Sequence, residues 1–554
     1  MKTKLWYLPL WLCICLFPFG LKANNIQITT EPTIEKNTLV SGFWYVQFDL
    51  SWDNSWRSNN PKNWDAAWLF VKYSIGGERW QHAYLEDTSS TKLKPTISNA
   101  KGCMEGGFTD FKNLDYAFRG GKSYIPSLGG ERNVGLFLYR VKNGYGRVEF
   151  KNVKLAWNFA AAGIAEDDPV TVKVFAIEMV YIPEGSFYIG SGIAEDNSFY
   201  QGFSPTSSAY RVISEDSIHI TNTALAQDKR TAADSLGLST QSNVFDFAAP
   251  TCITNEFPKG YQAFYMMKYE LSQEAYVDFL NTLTIAQQSA RTGLNMVQGS
   301  VKYFLNGSTG STTPGYRCGV YLYALAGVGT FVCNLNNDGS AEDKVNQADD
   351  GQNVAMNYMN SDDMLAYMAW SGLRPLTELE FEKAARGTQN PTKYEYVWGT
   401  TNFLDGGNIS TYISAGKPDE RPSDRGMNIN YSAGGPVRVG CFADSATNRM
   451  QAGAGYWGNM DLAGNVCERY ISVRYPVGRN YKGIHGYGDL VNENGNFPAD
   501  LEWNSAAINF ITKGVGFAYG GVVYSRTSNR AHVNSEIGRD YRFGGRGGRT
   551  APAN

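Results

Sequence analysis

Charge of one sign is scarce in this sequence: 50 lysines and arginines stand against 53 aspartates and glutamates in 554 residues, a formal net charge of -3. A balance so near neutrality provides no broad basic face for nucleic acid or an anionic membrane. Histidine is rare, with only His82, His219, His485 and His532, and these are not clustered. No Gly-x-Ser-x-Gly elbow, phosphate loop or Cys-x-x-Cys pair occurs, so hydrolase, nucleotide and zinc chemistries lack their usual signatures. Beyond the first two dozen residues, no stretch is apolar for the roughly 18 residues that a membrane helix needs. No cysteine follows Cys467.

What is present is the composition of a globular protein, 43% hydrophobic and 14% aromatic, long enough for several cores. Its 59 glycines and 34 tyrosines favour turn-rich β and irregular structure over helical bundles. Lys2 and Lys4 precede an apolar run from Leu5 to about Phe19, and Leu21-Lys22-Ala23 suits cleavage, so residues 1–23 read as an export signal. Cys15 would suit a lipid anchor, but Ile14 stands where such signals place a small residue; the expectation is a soluble exported chain. Six cysteines remain, Cys103, Cys252, Cys318, Cys333, Cys441 and Cys467. In an oxidising compartment Cys318 and Cys333 are the best placed for a disulfide, flanking a hairpin-like segment, while the others read equally as buried thiols.

Between Ile26 and Phe159, short β-type runs alternate with turn residues, for example Phe43–Leu50, Ala67–Tyr73, Asn133–Arg140 and Val153–Trp157. The pattern predicts a β-sandwich over 24–168. Trp52, Trp56, Trp64 and Trp68 fall in it as either core packing or a sugar-stacking platform. After a breaker-rich stretch ending at Asp168-Pro169, residues 171–554 read as an α+β domain. Two short strands flank the Pro183-Glu184-Gly185 turn. One helix begins after Ser272, a second covers about Asp362 to Trp370, and a third follows the Thr377/Glu380 capping box and stops at Gly387. Its loops are long enough to need internal fastening.

One such loop is Tyr456–Arg469. Trp457, Met460, Leu462 and Val466 alternate irregularly with Gly458, Gly464, Asp461, Asn465 and Glu468. Its oxygen-bearing side chains suit a hard cation such as calcium, or a turn held by its own hydrogen bonds. Asn334–Gly339 spaces oxygens at positions one, three and five with glycine at six, as calcium loops do, but position twelve is Val345. The arginine-rich end, from Arg526 to Arg549, reads as an anion site or as a seam that pins the C-terminus.

Met179–Gly190, Tyr265–Ser272, Leu373–Gly387 and the 456–469 loop occur in an order that resembles the sulfatase-modifying-factor family, the formylglycine-generating enzymes and their relatives. The resemblance covers roughly 171–550 and implies a fold similar to C-type lectins. It implies a structural calcium ion at the Gly-Asn-Val-x-Glu motif, with Asn465, Val466 and Glu468 as ligands. A second calcium site is implied at Asn408-Ile409, with Asn428 or Asn430 as further ligands. The family's oxidases hold copper with two cysteines five residues apart after a Gly-Gly turn. Those positions are Ser525 and Arg530 here, and a hydroxyl and a guanidinium do not replace two thiolates. Another branch holds iron with three histidines, a set this chain does not offer.

No catalytic residue and no copper are expected. The chain reads as an exported, non-catalytic relative with a binding or structural role at the bacterial envelope or outside the cell. Its partner would be a protein or a glycan, as in family members built into secretion or gliding machinery. The alternative is a formylglycine-generating oxidase acting on a sulfatase cysteine, or a diverged oxidase.

Overall fold

The computed structural model describes residues 26–553 apart from 39, 78, 88, 104–110, 194, 205–207, 297–301, 305–309, 327, 404–411, 424–433, 445–446, 491–493, 507–508, 519–520 and 533–537. The expected export signal, the Asn408-Ile409 pair, Asn428 and Asn430 lie outside the described residues.

The N-terminal part is built from β1 (Phe43–Asn59), β2 (Lys62–Ile75), β3 (Thr96–Cys103), β4 (Phe111–Asn113), β5 (Tyr116–Ile125), β6 (Gly130–Arg140), β7 (Gly144–Asn158) and β8 (Val170–Ile182). The sandwich expected from the alternating pattern is there. One layer pairs β1 with β7 and β7 with β3; the other pairs β5 with β6, β6 with β2 and β2 with β8. The layers join where β1 and β2 pair through Arg57–Asn59 and Lys62–Trp64. Between them lies an apolar core including Val46, Phe48, Leu50, Leu69, Val71, Leu136, Phe150 and Trp157.

Strand β2 is buried on both faces. Ala67, Leu69, Val71 and Tyr73 point into the sandwich core, while Trp64, Ala66, Trp68 and Phe70 join a second core with the rest of the chain. That accounts for its near-continuous apolar run, because a strand covered on both sides has no solvent face to mark with polar residues. The tryptophans are packing residues: Trp52 and Trp68 are fully buried, Trp64 stacks on Tyr181 at 3.8 Å, and Trp68 Nε1 donates to the Ser371 carbonyl at 2.8 Å.

The stretch before Val170 is a connection, but the sheet does not stop at it. β8 pairs with β2 over twelve residue pairs, Val170↔Ile75 to Tyr181↔Trp64. Met179–Ile182 then pair with β9 (Phe264–Met267), which pairs with β14 (Gly548–Thr550). The boundary drawn between 168 and 171 thus separates two sequence textures, while one sheet crosses it.

Three helices stand where they are expected, two of them at the expected capping signals. α1 (Gln273–Leu280) starts at Ser272, whose hydroxyl accepts from the Ala275 N–H. α2 (Ser361–Ser371) starts at an Asn360/Asp363 capping box and ends at Gly372 in the left-handed region. α3 (Glu378–Arg386) starts at Thr377/Glu380 and ends at Gly387. α2 lies against the outer face of β2, where Trp370 meets Phe70 edge-on at 5.0 Å.

Helix Ile285–Thr292, capped by Thr284 and Gln287, was not foreseen in the polar stretch that follows α1. The hairpin of β10 (Val320–Ala326) and β11 (Val328–Cys333) forms, but Cys333 faces Val320 across it; Cys318 and Cys333 are buried free thiols. Both thiols sit in the apolar core, where their burial needs no covalent link.

The shared strand makes a specific prediction. A fragment ending at residue 168 leaves the β8 edge of β2 and its Trp64, Trp68 and Phe70 face in water, and is expected to bind a hydrophobic dye and unfold without a sharp transition. The chain 26–554 is expected to unfold cooperatively. Urea unfolding followed by tryptophan fluorescence compares the two.

Candidate functional site

The loop 456–469 lies between four parts of the fold and bonds to each. Tyr456 N–H donates to the Ala385 carbonyl at the end of α3, and Met460 N–H to the Lys268 carbonyl just after β9. Gly464 N–H reaches the Gly514 carbonyl beside β13 (Phe510–Lys513). Cys467 N–H donates to Arg542 O at 2.7 Å, and Gly544 N–H to Cys467 O at 3.0 Å, tying the loop to the C-terminal arm. Gly544 is required there, because a Cβ would stand 2.4 Å from Val466 Cγ2 and 2.6 Å from Met356 O. Asp461 and Asn465 take positive φ, 57° and 56°, a conformation their short polar side chains tolerate.

The side chains expected to hold calcium are engaged with protein groups. Asn465 Oδ1 accepts from Val437 N–H at 2.9 Å, while its amide donates to Glu270 Oε2 at 2.6 Å. Val466 N–H donates to the other Glu270 oxygen at 3.0 Å. Glu468, on β12 (Glu468–Ile471), accepts from Arg546 Nε at 2.6 Å and from the Tyr470 hydroxyl. Arg546 also donates to the carbonyls of Met267, Lys268 and Met460, so one buried guanidinium joins three segments.

Two of these carboxyls carry an electrostatic mark. Burial pushes Glu270 well above the usual carboxylate range, and the nearby Asp461 and Glu468 charges push it further. Burial also raises Glu468 despite the attraction of Arg546. With Asp461, these carboxyls leave buried negative charge beyond what Arg546 balances, and burial and mutual repulsion favour their protonation. Among the described residues no three acidic, histidine or cysteine side chains converge as a metal site. A calcium ion here would share Glu468 with Arg546 and Tyr470, and Asn465 Oδ1 with the Val437 N–H.

The other cation candidate is a hydrogen-bonded turn. Asn334 Nδ2 donates to the Gly339 carbonyl at 2.9 Å, Asp338 N–H to Asn336 Oδ1 at 3.1 Å, and Lys344 pairs with Asp338 at 3.1 Å. The histidines occupy separate places. His82 faces the Val134 carbonyl, His219 pairs with Asp234, and His485 accepts from Thr550 N–H.

Where the resemblance places copper thiolates, the structure holds a buried hydroxyl and a buried ion pair. Ser525 ends the short helix Val522–Ser525 and is buried. Arg530 donates from Nε and an Nη to both oxygens of Glu378, at 2.6 and 3.0 Å, and from its other Nη to the Asn197 carbonyl at 2.9 Å. Both partners are fully buried, and Glu378 is the first residue of α3. The remaining cysteines do not compensate. Burial pushes the Cys467 thiol up to about 12 and Cys441 well above its ordinary value, which keeps both neutral. Gly516 N–H donates to the Cys467 sulfur.

The rest of the arginine-rich end is likewise a seam: Arg539 pairs with Asp363, Arg542 with Asp540 and Arg546 with Glu468. Glu270 had no role in the sequence reading, and Arg546 belonged only to the arginine-rich seam, not to this loop. The available signal was a lone acid at the end of the apolar strand run Tyr265–Glu270, and an arginine between two pairs of glycines.

A family model described as a sulfatase-modifying factor enzyme 1-like domain matches residues 256–536. That range contains the 456–469 loop, Ser525 and Arg530. No curated protein matches the chain.

The Arg530–Glu378 pair yields a signed prediction. Burial opposes ionisation of Glu378, but Arg530, and Lys513 behind it, outweigh burial and hold its pKa below the ordinary 4.5. The pair therefore contributes stability above about pH 4.5, and that contribution is lost as pH falls through the depressed value. Arg530→Met strands a buried carboxylate and is expected to cost about 3–5 kcal/mol at pH 7. The loss should shrink toward pH 3, and adding Glu378→Gln should recover much of it; urea midpoints across pH read both effects.

Proposed function

Because the chain belongs to the sulfatase-modifying factor enzyme 1-like family, we propose that it is an exported member in which the family scaffold serves binding or assembly at the bacterial envelope in place of catalysis. The observation that carries this reading is the Arg530–Glu378 pair. Copper catalysis in the resembled enzymes depends on two thiolates, and here one position is a buried hydroxyl while the other is a guanidinium committed to the start of α3. The neutral buried thiols of Cys441 and Cys467 supply no alternative soft ligand. The apolar run at residues 5–19 supports export. Among the described residues no helix is long and apolar enough to cross a membrane.

Titration of the reduced protein with Cu(I) against a competing chelator tests the loss of catalysis. The expected result is no thiolate-level affinity and no conversion of a sulfatase-derived cysteine peptide. Tight Cu(I) binding that survives Ser525→Ala but disappears with Cys441→Ser or Cys467→Ser would establish an unfamiliar oxidase site and overturn the reading.

We further propose a structural calcium ion at the 456–469 loop, supported by the excess of buried carboxyls around Arg546. Glu468 also holds Arg546, so replacing it destabilises the fold whether or not calcium binds; the chelator comparison decides. Protein stripped with a chelator is expected to melt lower than protein in excess calcium, with about 2.7 kcal/mol of stabilisation at free calcium 100 times the Kd. Identical melting curves would show that Arg546 and protons balance the carboxyls unaided.

A further inference from the structure

The two layers of the sandwich part company on one side. β3 and β4 pair from Cys103↔Phe111 to Lys101↔Asn113, and Leu114 N–H still donates to the Ala100 carbonyl at 2.9 Å. Beyond that point β3 follows β7 in one layer and β5 follows β6 in the other, so the two strands diverge. Between their edges opens a cleft of about 1230 Å³, closed at its far side by the C-terminal residues Arg549–Ala553.

The cleft follows a strand edge. Seven consecutive residues of β5, Tyr116 to Lys122, line it, whereas a cleft over a strand face would meet alternate residues. The direction of the backbone groups follows from the ladder. Asp115 O accepts from Val141 N–H, so residue 115 points its groups toward the β6 side, and 117 and 119 do the same. Tyr116, Phe118 and Gly120 therefore aim their N–H and C=O groups into the cleft. Among the described residues no backbone group bonds to those three edges.

The surrounding charge has one sign in excess. Lys94, Arg119, Lys122 and Arg549 line the cleft against Asp87 and Glu131, and none of the four cations has a carboxylate within salt-bridge reach among the described residues. Arg549 is 1% exposed and donates to the carbonyls of Gly372 and Lys122 and to Ser123 Oγ, so its charge is spread over neutral acceptors alone. Gly121 admits it: a Cβ there would stand 2.8 Å from Arg549 Nε.

We propose that this cleft takes an extended acidic segment of a partner protein, which adds as a strand to the Tyr116–Gly120 edge and sets carboxylates against Arg119, Lys122 and Lys94. Main-chain hydrogen bonds to the open edge supply affinity, and the excess of cations selects acidic side chains, Arg119 being held toward the cleft by its bond to the Ala553 carbonyl. This goes beyond the loss of catalysis proposed above, because the cleft shares no residue with Ser525 or Arg530 and an active enzyme would carry it equally.

The test uses the chain without its export signal and a fluorescein-labelled peptide of about ten residues alternating threonine and glutamate. Three peptides are compared by anisotropy: this one, the same peptide N-methylated at every second residue, and a version with lysine for glutamate. Only the first is expected to bind. Its affinity should fall about tenfold or more in Arg119→Glu/Lys122→Glu, whose melting temperature stays that of the parent, and it should slow amide exchange at Tyr116, Phe118 and Gly120. Equal binding of the N-methylated peptide would remove strand addition. Binding of a sulfated or uronic-acid oligosaccharide without binding of the peptide would make the cleft a glycan site. No binding of any probe, or those three amides already protected in the free protein, would leave the basic side chains as guards of the strand edge; each of these results overturns the proposal.

Discussion

Arg546 is the group on which the C-terminal part most depends. Its buried guanidinium closes on the Glu468 carboxylate and on carbonyls from the end of β9 and from the 456–469 loop. Those carbonyls lie where the ladder of β9 gives way to irregular backbone, and five fixed donors on a planar cation can bridge several of them at once. Fold and charge state are thereby coupled. With Glu270 and Asp461 close by, the loop holds its shape only while the buried negative charge is balanced.

The same physics makes a structural joint of the place where the resemblance puts copper chemistry. Arg530 neutralises the acid at the first turn of α3 and reaches the Asn197 carbonyl. Placing a thiolate pair here would take more than substituting two cysteines. Removing the guanidinium leaves Glu378 charged in a dry interior, so a copper pair would require a new partner for that carboxylate at the same time.

Much of this was legible in the sequence, and the reasons differ by element. The Thr377/Glu380 box, Ser272 and the stop at Gly387 are local chemistry, and their helices stand where that chemistry places them. Helix Ile285–Thr292 escaped because its residues are polar, its core contacts being made by side chains such as Gln288 that bond to carbonyls while buried. The sandwich was visible as alternation. The continuity of its sheet into the rest of the chain was not, because which strand neighbours β2 is a long-range choice that spacing does not encode. In the 456–469 loop the residues were identified from their pattern, but their partners were not: Glu270 and Arg546 are 195 and 81 positions from Asn465, too distant for any local motif to join.

The strand β8 has a mechanical consequence. A chain whose two parts meet through a flexible linker lets each turn on its own, and a pull on one reaches the other only after the linker is taut. Here the connection is a rigid strand with hydrogen-bonded neighbours on either side, β2 along most of its length and β9 at its end. A push or torque applied at the N-terminal edge is carried into the C-terminal part with no slack. The strand thus fixes the angle and reach between the two parts.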